Sequence, residues 1–123
     1  MNWEEVSSLC KQNITFASHT HSHRYATELS ESELLDDLKK SLAILNEKVD
    51  AGSISKIFCY PGGYYDSRSQ ETLSALNFKA AVAVHFKSDV LESPPIIGRI
   101  GIHEDICYSQ NLFDYRVSWQ SIN

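Results

Sequence analysis

Between Ser30 and Val49, the apolar residues Leu35, Leu38, Leu42, Leu45 and Val49 recur at steps of 3, 4, 3 and 4, a spacing that an α-helix gathers into one continuous stripe. Such a stripe has to be buried, and the chain supplies strand-forming runs on both sides of it. Ile14 to Ser18 precede the helix, and Ile57, Phe58, Cys59 and Tyr60 follow it, cut off by Pro61-Gly62-Gly63. Ser30 with Glu33 three residues on forms a capping-box start, and Gly52 is a natural stop. Strand, amphipathic helix and strand in this order predict a parallel βαβ unit.

The pattern continues along the chain. Asn2 and Glu5 predict the start of a first helix with Val6 and Leu9 on its apolar face. Asp66 caps a helix carrying Leu73 and Leu76, and Asn77 stands where a left-handed cap belongs. Lys79 to His85 is a third strand, mostly apolar as expected of a strand covered on both faces. Ile96 to Ile102 is a fourth, interrupted by Gly98 and Gly101, and a last short helix covers Gln110 to Arg116. The fold class is therefore α/β with parallel strands. The 123 residues suit one domain, 1–123, whereas a full (β/α) barrel needs roughly 200 or more. A partial barrel leaves an apolar strand edge that a second copy, a complementing N-terminal half or rearranged local structure must cover.

Composition removes several functions. A net charge of −5 with 11 Lys plus Arg lacks the clustered positive charge that nucleic acid or an anionic membrane surface demands. No apolar run approaches the roughly 20 residues that span a bilayer. The acidic start Met1-Asn2-Trp3-Glu4-Glu5 has no signal-peptide regions, so a cytoplasmic location is expected. Cys10, Cys59 and Cys107 are odd in number and widely spaced, which indicates neither a disulfide framework nor a zinc knuckle.

Three of the five histidines lie in His19-Thr20-His21-Ser22-His23, directly after the first strand. Loops at the carboxyl ends of parallel strands converge on ligand sites. Neutral imidazole is a common zinc ligand, and an i, i+4 pair shares one face if the loop makes a helical turn. Composition alone leaves a metal site and a histidine-rich surface loop equally open.

Context adds a resemblance. Phe16-Ala17-Ser18-His19-Thr20-His21-Ser22-His23, followed by Leu29-Ser30-Glu31-Ser32-Glu33-Leu34, resembles the second motif of the polysaccharide deacetylases (carbohydrate esterase family four). Phe58-Cys59-Tyr60-Pro61-Gly62-Gly63 is similar to their third motif in its Tyr-Pro-x-Gly form, and Asn77-Phe78-Lys79-Ala80-Ala81-Val82 to their next helix-to-strand junction. The resemblance runs from about Trp3 to Arg116. It implies a partial deacetylase-type (β/α) barrel and metal-dependent hydrolysis of acetyl groups from acetylated oligo- or polysaccharides. It further implies a divalent metal, by preference zinc, on His19 and His23. Tyr60, Pro61, Gly62 and Gly63 would form the substrate groove, with the Gly62 N–H facing the oxyanion.

The family's Thr-Phe-Asp-Asp motif, source of a metal ligand and the base, is missing from the sequence. Asp36-Asp37 lie within the leucine-striped helix and follow no strand, so they read as a solvated flank. Cys59 stands where many members carry an arginine. His85 and His103 are the candidates for a late catalytic histidine, each equally readable as a satisfied, partly buried one. Trp3, Tyr64 and Tyr65 can stack on sugars or simply pack the core. Enzymatic competence is thus left open. The chain is expected to be inactive alone, and the alternatives are a non-catalytic carbohydrate- or metal-binding module, or a fragment needing a partner half.

Overall fold

A computed structural model describes residues 1–84, 94–99 and 108–119, the last five of these by backbone only. The elements are α1 (Trp3–Cys10), β1 (Phe16–Ser18), α2 (Glu31–Lys48), β2 (Ile54–Cys59), α3 (Ser67–Ala75), β3 (Ala80–Ala83), β4 (Ile96–Gly98) and α4 (Gln110–Trp119). Three helix starts follow from capping boxes: Asn2 with Glu5, Ser30 with Glu33, and Asp66 with Ser69. Each box satisfies amide donors that the first helical turn otherwise leaves unpaired. Asn77, at φ 61°, takes the left-handed conformation expected after α3.

The four strands form one parallel sheet in the order β1-β2-β3-β4. Neighbours in space are neighbours in sequence, the progression of a barrel wall; a doubly wound sheet reverses its order instead. Register places Ser18 beside Phe58, Cys59 beside Val82 and Ala83 beside Gly98. The carboxyl ends of all four strands therefore meet on one edge. The segments that leave them begin at His19, Tyr60, Val84 and Arg99.

The core beneath that edge is Ala26, Leu29, Leu34, Leu38, Phe58, Tyr60, Leu73, Phe78, Ala81 and Ala83. Phe58 meets Tyr60 and Phe78 edge-on at centroid distances of 5.0 and 5.6 Å, arrangements worth about 0.5–1.5 kcal/mol each beyond their burial. Val6, Cys10 and Val49 make a second, smaller cluster joined by Phe16, Leu45 and Ile54, which holds α1 against the far end of α2.

Three expectations need correction. The buried face of α2 is Leu34, Asp37, Leu38 and Ser41, with Leu35, Leu42 and Leu45 only partly covered. The helix packs on both β1 and α3, and this rotates the stripe toward Leu34. The helix also stops at Lys48: Val49 turns extended and buries against α1, while Gly52 falls in a short 3-10 turn, Ala51–Ser53. Asp37 is not solvated, at 9% exposure, for a reason given below. The strands differ in length as well, β1 starting at Phe16 and β2 as early as Ile54. His85, Gly101, Ile102, His103 and Cys107 lie outside the described residues. No helix among the described residues is long and apolar enough to cross a membrane.

Candidate functional site

Ser18 ends β1 with its hydroxyl on the Ser41 hydroxyl of α2, 2.8 Å away and buried. This bond fixes the point from which the histidine loop departs. The loop then bends sharply: Thr20 and His23 adopt φ 67° and 59°, left-handed values that cost a β-branched residue such as Thr20 most. Two contacts hold the bend. The Thr20 hydroxyl accepts the His23 N–H at 2.9 Å, and the Asp37 carboxylate accepts the N–H groups of His21 and Ser22 at 2.6 and 3.0 Å. Burial alone would raise the Asp37 carboxyl. The Ser22 side chain, the two backbone donors and the charge of His21 outweigh it and hold Asp37 below its ordinary value. Asp37 is therefore a clamp on the loop, which is why a helix can bury it.

The bend brings the His19 and His23 rings edge-on, centroids 4.9 Å apart at 68°. Two left-handed residues do this, where a helical turn was expected. His19 Nδ1 lies 2.7 Å from the Cys59 carbonyl at the end of β2. A carbonyl only accepts, so Nδ1 carries the proton and Nε2 keeps the lone pair. His19 is half-buried, and His21 and His23 are exposed. A cleft of about 260 Å³ lined by Trp3, Ala17, His19, Thr20, His21 and Ser41 opens beside the loop.

The segment after β2 divides in two. Tyr60 and Pro61 are buried; Tyr60 stacks on Tyr65 at 5.6 Å, and its N–H donates to the Val82 carbonyl at 3.0 Å. Their side chains thus belong to the core beneath the rim. Gly62 and Gly63 turn left-handed at φ 63° and 78°. Gly62 is exposed, and Gly63 lies so close to the backbone of Val84 that no side chain fits there.

Arg99 is a site residue that sequence reasoning missed. The fourth strand was expected to run on to Ile102, which would hide Arg99 in its middle; β4 ends at Gly98 instead. Arg99 donates to the Cys59 sulfur at 3.3 Å, so a guanidinium from β4 reaches the residue whose carbonyl orients His19. Asp66 is committed to its cap: it accepts from the Ser69 N–H at 2.8 Å and from Arg68 at 3.2 Å. Among the described residues, no group of three or more His, Cys, Asp or Glu side chains is placed to hold a metal ion.

A family model described as polysaccharide deacetylase matches residues 1–81 of the chain. No curated protein and no solved structure matches it.

Proposed function

The chain belongs to the polysaccharide deacetylase family, and from that premise we propose that it binds acetylated oligo- or polysaccharides at the carboxyl edge of its sheet, with His19 and His23 holding a divalent metal, zinc by preference. The observation that carries this reading is the imidazole pair, 4.9 Å between centroids, with His19 Nδ1–H committed to the Cys59 carbonyl. A histidine whose second nitrogen donates to a carbonyl is fixed in the tautomer and orientation that metal ligation uses. The donor set therefore fits zinc with two of its usual four positions. A bound metal would supply Lewis-acid activation of water and of the acetyl carbonyl.

The chain's own residues do the rest. Asp37 keeps the loop bent, Cys59 and Ser41 orient and anchor its start, and the Gly62 N–H is the proposed donor to the developing oxyanion. Proton abstraction has no assigned group, because Asp37 and Asp66 are both occupied as hydrogen-bond acceptors. That occupancy favours a second reading, a carbohydrate- and metal-binding module without turnover. A missing general base costs about 10²–10⁴-fold. The test is acetate release from acetylated chitin oligomers and acetylated xylan with zinc or cobalt supplied. The 123-residue chain is expected to be nearly inactive, and robust metal-dependent turnover would contradict this by requiring a base elsewhere in the chain.

A further inference from the structure

Tyr25 and Tyr64 come from different loops and meet at the same rim. Their rings lie 5.3 Å apart, tilted by 54°, and they remain 39% and 46% exposed. Gly62 sits between them. A Cβ there would come within 2.8 Å of Tyr25 Cε1 and 2.9 Å of Tyr64 Cδ2, so the glycine is what allows both rings to stand this close to the backbone.

Neither ring is exposed through slack in its chain. Tyr25 precedes the 3-10 turn Ala26–Glu28, whose Ala26 is fully buried, and Leu29 just beyond is 3% exposed. Tyr64 lies between Gly63, packed on Val84, and Tyr65, stacked on Tyr60. Arg68 then ties the two loops together. It donates to the Thr27 carbonyl and to Asp66, both through Nη2, and each of these partners stands two residues beyond one of the tyrosines. Buried neighbours thus hold two aromatic faces out to solvent, with an arginine–carboxylate pair on the loops that carry them. An exposed, ordered apolar surface with a polar rim is a ligand site more often than an accident of packing.

We propose that Tyr25 and Tyr64, spaced by Gly62, form a stacking platform for one pyranose ring of a β-linked saccharide, a sugar subsite next to the histidine loop. A pyranose whose substituents are all equatorial presents a face of C–H groups that suits an aromatic ring, and its hydroxyl rim suits the tyrosine hydroxyls and the Arg68–Asp66 pair. The platform names a subsite for the saccharide reading above and rests on it for the substrate class. It does not depend on a metal.

The experiment is calorimetric titration of the full chain with chitohexaose, without added metal, for wild type, Tyr25→Ala, Tyr64→Ala and the two Phe variants. Each alanine variant should lose about tenfold in affinity, while each phenylalanine variant stays within about threefold of wild type. Zinc binding should be unchanged in all of them. Both rings are at the surface, and a thermal melt of each variant checks that it folds. Saccharide binding that is indifferent to both alanine substitutions, or absent in wild type, overturns the platform. A failure of the metal reading would show separately, as no zinc binding by wild type while the saccharide results stand.

Discussion

Asp37 shows at residue scale why sequence patterning reaches only part of the site. An acidic residue in a leucine-striped helix reads as surface, because periodicity registers polarity and cannot register a partner sixteen residues upstream. The partner here is backbone: the N–H groups of His21 and Ser22, which carry no side-chain signal. Arg99 was hidden for a related reason, since its meaning depends on where β4 ends. His19 and His23 were legible because their spacing and their place after a strand are both properties of the sequence. Asp37→Asn should destabilise the protein by about 1–3 kcal/mol. The effect should also depend on pH with a definite sign. Asp37 is depressed in the folded state, so its contribution is complete above the ordinary carboxylate value of about 3.9 and is lost as pH falls through the lower folded value. Denaturation curves of the variant and wild type should differ at neutral pH and converge in acid. A constant gap across that range would show that Asp37 is not the charged clamp.

At the scale of elements, caps were the most readable feature. Asn2, Ser30 and Asp66 each begin a helix where a short polar side chain precedes an apolar period. Helix ends and buried faces were less readable, because they are set by neighbours. Val49 leaves the helix to bury with Val6 and Cys10, and Gly52 plays no part in that stop. The face of α2 likewise turns toward Leu34 because two elements, β1 and α3, pack against it. This gives a discriminating pair of substitutions. Leu38→Ala removes a fully buried side chain and should cost about 2–5 kcal/mol. Leu35→Ala, on the flank, should cost about 1 kcal/mol or less. Urea denaturation of both decides it, and equal losses would restore the stripe read from spacing alone.

At the scale of the whole molecule, the order β1-β2-β3-β4 collects the histidine loop, the glycine turn and Arg99 on one edge, though they lie far apart in sequence. The parallel α/β class and the family were both legible, since each rests on local patterns repeated in order. The cross-strand contacts that shape the site, Cys59 with His19 and Cys59 with Arg99, were not, because register is a property of the assembled sheet. The central claim is that this edge holds a metal on His19 and His23. Calorimetric titration with zinc at neutral pH, comparing wild type with a His19→Ala, His23→Ala double variant, tests it directly. Two imidazole ligands predict weak, single-site binding by wild type that the double variant loses by at least about tenfold. Equal binding by the two proteins would contradict the account.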